Sequence, residues 1–175
     1  MTKNIQSEFI PLNIAVLTIS DTRDVNTDKS GNFLAAAVSE TGHSFRGKVI
    51  VKDNIYQIRA QLSLWIAAPE IHVVITTGGT GFSFHDVTPE AIKPLLDKEI
   101  PGFGEQFRTL SIKQVGSSSI QSRAFAGVAN NTYLFSLPGS LNACKTGWQN
   151  ILIEQLDNRH LPCNFSELLR QPPTS

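Results

Sequence analysis

The sequence predicts an α/β fold of three layers, with helices on both faces of a mostly parallel sheet. Short apolar, β-branched runs alternate along the chain with segments that carry apolar residues at helical spacing. This alternation is typical of parallel strands joined by helices. The chain has 175 residues, of which 41% are hydrophobic and 17% charged, so we expect one globular domain over 1–175. We expect flexible ends at 1–10 and 171–175.

The first half of the chain predicts three strands and two helices in alternation. The runs at 12–20, 45–51 and 71–77 are apolar and rich in β-branched residues, which indicates buried strands. Between them, 31–40 and 55–67 carry apolar side chains at helical spacing, which predicts one helix in each gap. The third strand leads directly into the glycine-rich sequence TTGGTG.

The second half of the chain predicts a fourth strand among helical segments. Thr88 suits an N-cap and Pro89 suits the first helical position, so the glycine-rich loop is expected to lead into a helix. Residues 101–126 are predicted as helical with a break at GSSS, 131–137 as a strand, and 142–156 as a helix. The sequence NFSELL near the end predicts one more helical turn.

Charge and composition argue against several classes of partner. Fifteen Lys and Arg residues balance fifteen Asp and Glu residues, so the chain offers no net field to nucleic acid or to an anionic membrane. No apolar run approaches the roughly 20 residues of a spanning helix, and the start lacks the apolar region of a signal peptide. We therefore expect a cytoplasmic protein that binds neither nucleic acid nor membrane. The spacing of Cys144, Cys163 and the four histidines predicts no zinc site.

Polar or glycine-rich segments follow each predicted strand. They are SDTRD after the first strand, KDN at 52–54, TGGTG at 77–81 and PGS at 138–140. In an open parallel sheet, ligands bind beyond the carboxyl ends of the strands, so we expect these segments to meet at one site. Glycine loops that lead into helices present backbone amides and favour anions. The sequence therefore predicts a phosphorylated or otherwise anionic ligand.

Two aspartates are expected to border this anion site. Asp53 and Asp86 would repel an anionic ligand unless a cation intervened. Mg²⁺ suits the arrangement, because it binds one or two carboxylates together with waters and substrate phosphates. Structural alternatives remain open: a tight turn for the glycines, an Asx turn or helix-start charge for Asp86, a solvated loop position for Asp53, and a helix cap for 138–140.

The chain resembles the MoaB/Mog family of molybdopterin-binding proteins over nearly its whole length. The segments that carry the resemblance, in order, are EFIPLNIAVLTISD, DKSG, TTGGTG, DVTPEA, PGFGEQFR, QSRAFAGVAN, LPGS and CNF. The resemblance is to the MoaB branch in particular. It implies a three-layer molybdopterin-binding domain that assembles as a trimer or as a dimer of trimers.

The resemblance also implies an activity and its residues. In the adenylyltransferase branch, two aspartates are required for the transfer of AMP from ATP to the terminal phosphate of molybdopterin with Mg²⁺, and they match Asp53 and Asp86. These two are the predicted catalytic residues and the predicted Mg²⁺ ligands, with molybdopterin and ATP as ligands or substrates. The positions that match the family's substrate-binding loops are Thr77, Gly78, Gly79, Thr80, Gly81, Pro138, Gly139 and Ser140.

Two departures from the adenylyltransferase pattern leave alternatives open. His85 stands where Arg often precedes the motif aspartate, and Leu141 stands where Pro often follows PGS. A histidine with an ordinary pKa near 6.5 is only partly charged at neutral pH, so it would hold a phosphate less firmly than a guanidinium. The first alternative is a non-catalytic molybdopterin-binding or carrier protein of the same pathway. The second is a structural trimer that scaffolds other proteins and has no pterin affinity.

Overall fold

The computed structural model describes residues 8–169 of the chain. The flexible ends predicted at 1–10 and 171–175 lie outside the described residues except for 8–10. Asn158 holds that short segment, because its Oδ1 accepts the Ile10 N–H at 2.7 Å and its Nδ2 donates to the Glu8 carbonyl at 2.9 Å. No helix within 8–169 is both long and apolar enough to cross a membrane.

A six-stranded sheet forms the middle layer, with strand order β2-β1-β3-β6-β5-β4. The first four of these strands are parallel to one another, whereas β5 pairs antiparallel with β6 and β4 pairs antiparallel with β5. The mostly parallel sheet predicted from the sequence is therefore confirmed. The strands are β1 Asn13–Ile19, β2 Ser44–Val51, β3 Val73–Thr77, β4 Lys98–Glu99, β5 Phe125–Ala129 and β6 Thr132–Leu137.

Seven helices connect or flank the strands in the described part of the chain. Four of them begin at side-chain caps of the expected type, because Asp28, Asn54, Ser140 and Asn164 each accept a main-chain N–H of the first turn. The helices are α1 Lys29–Glu40, α2 Ile55–Ala67, α3 Thr88–Ile92, α4 Pro101–Val115, α5 Leu141–Gly147, α6 Ile153–Gln155 and α7 Phe165–Leu168. A π-helical turn at Trp148–Leu152 joins α5 to α6.

Helices cover both faces of the sheet, as predicted. Alternate residues of β1 point to opposite faces, so Val16 belongs to one apolar cluster and Leu17 to the other. α1, α4 and α5 pack on the Val16 face, and α2 and α3 pack on the Leu17 face. Because both faces are covered, the central strands β1, β3 and β6 are buried along almost their whole length, which is why their sequences showed no alternation, whereas the edge strand β2 is partly exposed.

The helix predicted over 101–126 is wrong in its second half. The α-helix ends at Val115, a 3₁₀ segment follows at Gly116–Gln121, and Phe125–Ala129 forms β5. The sequence FAGVA has small residues because its neighbours are close: a Cβ on Gly127 would lie 2.4 Å from a methyl carbon of Leu96. The sheet consequently has two more strands than the four predicted.

Candidate functional site

The carboxyl ends of β1, β2, β3 and β6 meet around one cavity of about 460 Å³. The order of the strands reverses between β1 and β3, because β2 lies on one side of β1 and β3 on the other, with α1 and α2 on opposite faces. Open α/β sheets bind ligands at this point. The convergence predicted for the strand-end segments is therefore present. The cavity lining consists of Ile19, Ser20, Asp53, Gly78, Gly79, Thr80, Gly81, His85, Asp86, Gln121, Ser122, Pro138 and Gly139.

Glycines allow the ends of three strands to pack against one another. Gly78 has φ +108°, and a Cβ there would lie 2.1 Å from the Ile19 carbonyl oxygen of β1. A Cβ on Gly139, after β6, would lie 3.2 Å from the Gly78 Cα. The Gly78 N–H donates to the Leu137 carbonyl at 3.0 Å, so this amide is engaged within the protein. Gly78 thus serves the close approach of the strands, which is the structural alternative for that glycine.

Two threonine hydroxyls fasten the loops from inside. Thr77 is buried, and its Oγ1 donates to the Pro138 carbonyl at 3.0 Å, which ties β3 to the turn after β6. Thr88 was predicted as an N-cap, but it is the first residue of α3. Its Oγ1 instead donates to the Gly78 carbonyl at 2.7 Å, so its hydroxyl holds the glycine loop rather than the helix start.

Asp86 lies in the cavity lining and stabilises its own loop. Its Oδ2 accepts the Ser83 N–H at 2.8 Å and the Ser83 hydroxyl at 2.5 Å. Burial acts to raise the pKa of Asp86, but the Ser83 hydrogen bonds and the charge of Arg123 outweigh it and hold the pKa below its ordinary value. The carboxylate is therefore ionised at neutral pH and already partly bonded.

Asp53 lines the same cavity in a different electrostatic environment. Its carboxylate is close to the glycine loop, since a Cβ on Gly79 would lie 3.0 Å from Asp53 Oδ1. Burial raises the pKa of Asp53, and the carboxylates of Asp21 and Asp86 raise it further against an opposing hydrogen bond. The opposing hydrogen bond comes from the main chain of Asp21. In a separate bond, the Asp53 N–H donates to Asp21 Oδ1 at 3.2 Å. The pKa values of the two predicted catalytic aspartates are thus shifted in opposite directions.

The donor set fits Mg²⁺ better than a metal held wholly by protein. Within 8–169 there is no group of three or more His, Cys, Asp or Glu side chains placed to bind a metal. Mg²⁺ needs only one or two carboxylates when waters and phosphates complete its shell. Asp53 and Asp86 supply two carboxylates to one cavity. Burial, and then the charges of Asp21 and Asp86, raise the pKa of Asp53, and a bound cation would favour its ionised form.

The turn after β6 is divided between the cavity and a helix cap. Pro138 and Gly139 line the cavity, and the Gly139 carbonyl accepts the Ser30 hydroxyl at 2.9 Å. Ser140 lies outside the lining, where its Oγ accepts the Ala143 N–H at 3.1 Å and caps α5. Leu141 is the first residue of that helix. The side chain of Ser140 thus has the capping role considered among the structural alternatives.

His85 stands exposed at the mouth of the cavity. Its side chain is 73% exposed, and its Nδ1 lies 3.6 Å from Asp21 Oδ2. This pair connects the loop after β1 with the loop after β3. The imidazole is therefore placed beside the cavity, but its nearest charged partner is a carboxylate of the protein.

A smaller cavity of about 60 Å³ extends the site beneath the loop after β1. It shares Ile19, Ser20 and Gly139 with the larger cavity. Its other lining residues include Arg23 and Ser30, so it adds a guanidinium and hydroxyl groups. Of the residues particular to this extension, Thr77 was a predicted site residue. Thr18, Arg23, Asp28 and Ser30 were not predicted, because loop polarity alone does not show which side chains turn inward.

Arg123 is the main site-supporting residue that the sequence did not reveal. Its Nε donates to the Gly81 carbonyl and its Nη2 to the Asp86 carbonyl, both at 2.8 Å. Its Nη1 also bonds to the Glu90 carboxylate. An arginine that binds main-chain carbonyls has no characteristic spacing in sequence, so only coordinates could show these contacts.

Comparisons with known proteins agree with this geometry. Residues 15–158 match the family described as "Probable molybdopterin binding domain". The chain is 51% identical over 167 residues to the molybdenum cofactor biosynthesis protein B of Escherichia coli (strain K12), covering 95% of this chain and 98% of that protein. A crystal structure of a molybdenum cofactor biosynthesis protein B matches with a TM-score of 0.85 and 39% identity, over 93% of this chain and 98% of the other. The tungsten cofactor synthesizing protein MoaB from Pyrococcus furiosus matches with a TM-score of 0.74 and 38% identity, over 82% and 92%.

Proposed function

Because the chain belongs to the MoaB/Mog family of molybdopterin-binding domains, we propose that it acts in molybdenum cofactor biosynthesis by adenylylating the terminal phosphate of molybdopterin with Mg-ATP. One observation carries the proposal: Asp53 and Asp86 come from different strand ends, yet they line one cavity with the glycine loop. Transfer of a phosphorus group between two anionic substrates needs such a combination of carboxylates for Mg²⁺ and backbone for phosphates.

The proposed reaction is a displacement at phosphorus. An oxygen of the molybdopterin phosphate forms a bond to the α-phosphorus of ATP, and the bond from that phosphorus to the β-phosphate oxygen breaks, releasing pyrophosphate. Asp53 and Asp86 would hold Mg²⁺, which when bound neutralises charge on the phosphate oxygens. The chain's part is to bind and orient the two substrates, because positioning and electrostatics supply most of the rate in such transfers.

Individual positions then have distinct parts in binding. We assign Gly79, Thr80 and Gly81 to contact with phosphate oxygens, since they line the cavity at the end of β3. Pro138 and Gly139 form the opposite wall. Thr77, Gly78 and Ser140 support these walls through the contacts described above, so we assign them to the shape of the site.

The decisive experiment is an adenylylation assay with purified protein, molybdopterin, ATP and Mg²⁺. The wild-type protein is expected to accumulate adenylylated molybdopterin. Asp86→Asn is expected to lose about 100-fold or more of the transfer rate, the scale of removing one preorganised electrostatic group, while molybdopterin stays bound. Product is measured by chromatography and mass spectrometry, and pterin binding by fluorescence.

Asp24→Asn is the matched control for this assay. Asp24 also accepts hydrogen bonds from its own loop, from Thr27 and Asn26, but it lies outside the lining of both cavities. Its replacement is expected to leave the transfer rate unchanged. Full turnover by Asp86→Asn would exclude the proposed role of that carboxylate.

A non-catalytic molybdopterin carrier is the second candidate. The observation that favours it is His85, which is exposed and paired with Asp21 at a position where the adenylyltransferase pattern often has arginine. The same assay separates the two, because a carrier binds molybdopterin tightly and makes no adenylylated product. A structural scaffold would show self-association and no pterin affinity.

The proposal also includes an assembly and a location. By its resemblance to the MoaB branch, we propose that the chain forms a homotrimer or a dimer of trimers in the cytoplasm. Sedimentation equilibrium is expected to give three or six times the mass of the chain. A monomer at micromolar concentration would contradict the assembly without affecting the assignment of the cavity.

A further inference from the structure

The side chain of Arg123, between the 3₁₀ segment and β5, connects the sheet to the loop that carries Asp86. Its guanidinium donates to the Gly81 carbonyl and to the Asp86 carbonyl at 2.8 Å each, so one planar group joins both ends of the segment 82–85. The Arg123 N–H also donates to the Thr80 carbonyl at 3.1 Å. Main chain and side chain together therefore fix the course of the loop from Thr80 to Asp86.

The segment between these two carbonyls makes few contacts of its own. Phe84 is 94% exposed, and Phe82 is largely exposed apart from the guanidinium of Arg123, which lies 5.0 Å from its ring centre. Besides the bonds between Ser83 and Asp86 and the exposed pair of His85 with Asp21 at 3.6 Å, the guanidinium ties this turn to the rest of the protein. An exposed turn with so little packing is expected to be mobile without it.

Arg123 is in turn held in place by residues of α3 and α4. Arg108 of α4 donates to the Ser122 carbonyl at 3.3 Å and to the Ala124 carbonyl at 3.2 Å, which are the main-chain groups on either side of Arg123. The Glu90 carboxylate of α3 accepts from Arg123 on the side away from the loop. The main chain around Arg123 is thus held by Arg108 and its guanidinium by Glu90, and only 24% of the Arg123 side chain is exposed.

We infer that Arg123 is a positioning residue, which sets the place of Asp86 and the glycine loop for the AMP transfer proposed above, on which this inference rests. Arg123 does not line the cavity that holds Asp53 and Asp86; it lines a neighbouring cavity of about 580 Å³. It acts on the site through the loop. A displacement of about 1 Å in a reacting group costs on the order of 100-fold in rate, which is why a residue behind the loop matters.

Arg123→Lys is the most informative variant. Lysine keeps the positive charge but cannot reach two carbonyls with one planar fork. We expect kcat for AMP transfer to fall on the order of 10- to 100-fold while KM for ATP stays within about twofold, the pattern of a lost transition-state arrangement. Hydrogen exchange of the amides from Thr80 to Asp86 is expected to accelerate.

Arg59→Lys is the matched control. Arg59 of α2 also uses its guanidinium to bind two main-chain carbonyls, those of Glu90 and Ala91 at 3.0 Å each. It holds the opposite side of α3 and does not touch the glycine loop. Its replacement is expected to cost similar stability and to leave both kcat and the exchange of Thr80–Asp86 unchanged.

The outcomes separate this inference from the proposed function. If the wild-type protein makes no product, the proposed function is wrong. The role of Arg123 in positioning the loop is then tested by hydrogen exchange and by the affinity for molybdopterin. Arg123→Lys with wild-type kcat and wild-type exchange at Thr80–Asp86 would overturn the inference. If Arg123→Lys and Arg59→Lys lose kcat equally, the effect of Arg123 is general stability, and the inference is also wrong.

Discussion

At the scale of single residues, the charges of the two aspartates in the cavity have opposite effects on the stability of the folded protein. The folded pKa of Asp53 is raised by burial and by neighbouring carboxylates, whereas hydrogen bonds and Arg123 lower that of Asp86 despite its burial. A raised folded pKa means that the ionised group destabilises the fold once the pH exceeds that pKa. A lowered one means that the ionised group stabilises the fold above its unfolded pKa, near 3.9.

We therefore predict opposite stability effects at pH 7 without Mg²⁺. Asp53→Asn removes a disfavoured charge and is expected to raise the thermal midpoint, whereas Asp86→Asn weakens the bonds from Ser83 and is expected to lower it. Each 1 kcal/mol corresponds to about 2–4 °C in a domain of this size, so calorimetry in EDTA can resolve the difference. As the pH falls, the difference for Asp53→Asn should shrink first, because its raised folded pKa lies above the unfolded value near 3.9. The difference for Asp86→Asn should shrink only below that value, because its folded pKa is lowered. A fall in midpoint for Asp53→Asn at pH 7 would contradict the assignment.

Sequence reasoning at this scale found the residues whose position in a motif defines their place. Asp53 and the glycines follow strands closely, and Asp86 ends the loop after β3, so parallel topology brings them to one edge. It could not tell which way a side chain turns. Thr77 and Ser140 occupy motif positions, yet one hydroxyl points into the protein and the other caps α5. The orientation of Thr77 depends on a hydrogen-bond partner 61 residues away in the chain, and that of Ser140 on the exact start of α5.

At the scale of elements, the start of β1 depends on two histidines from other segments. His43 Nδ1 accepts the Leu12 N–H at 3.1 Å, and His72 Nδ1 accepts the Asn13 N–H at 3.0 Å. Both nitrogens must be unprotonated for these bonds. Burial lowers the pKa of both histidines, with Asp157 opposing the shift for His43 and Arg46 adding to it for His72.

This arrangement predicts acid sensitivity centred on β1. Because the folded pKa values lie below the unfolded value near 6.5, the stabilisation is complete above pH 6.5 and is lost as the pH falls through the folded pKa values. The loss per histidine is at most about 1.4 kcal/mol for each pH unit. His43→Asn retains an acceptor that does not titrate, so its free energy of unfolding is expected to fall less steeply between pH 6.5 and 5.

Urea unfolding at several pH values measures this slope. His160→Asn is the control, since the His160 side chain is 30% exposed and its Nε2 lies 3.9 Å from a carboxylate oxygen of Glu154. Its replacement is expected to leave the acid-induced loss in place. If His43→Asn and the wild-type protein lose stability in parallel, His43 does not govern the acid sensitivity of β1.

The elements that sequence reasoning missed had weak local signals. The four parallel strands were predicted, because each contains a run of β-branched or apolar residues, whereas β5 is short and rich in Ala and Gly, and β4 has two residues. One signal was present: Asn130 and Asn131 have φ of 47° and 63° and join β5 to β6 as a two-residue hairpin. Asparagine tolerates this conformation, so the pair between two apolar runs is typical of a tight hairpin turn. The helical spacing of the residues before β5 led to a predicted helix that extended into this strand.

At the scale of the whole molecule, the site exists only because the complete sheet forms. Its walls come from Ser20, Asp53, Gly78 and Pro138, which are far apart in the chain and adjacent only at the carboxyl ends of neighbouring strands. Alternation of strands and helices was enough to predict this convergence, because parallel connection leaves few topologies. The binding site and the stability of the core are therefore coupled, and a ligand that binds only the folded state stabilises every layer.

That coupling requires the two helical layers to unfold together, and the two tryptophans allow a direct test. Trp148 is buried in the layer of α1, α4 and α5, whereas Trp65 of α2 packs on the opposite face. We predict that Trp65→Phe and Trp148→Phe each leave one fluorescent reporter whose urea transition coincides with the loss of far-ultraviolet circular dichroism. The fluorescence and dichroism midpoints are compared within each variant, because the two substitutions destabilise the protein by different amounts. Replacing the buried Trp148 should lower the urea midpoint more. If the Trp65 signal is lost at lower urea than the dichroism, the α2 layer unfolds separately, and the single cooperative domain predicted from the sequence is wrong.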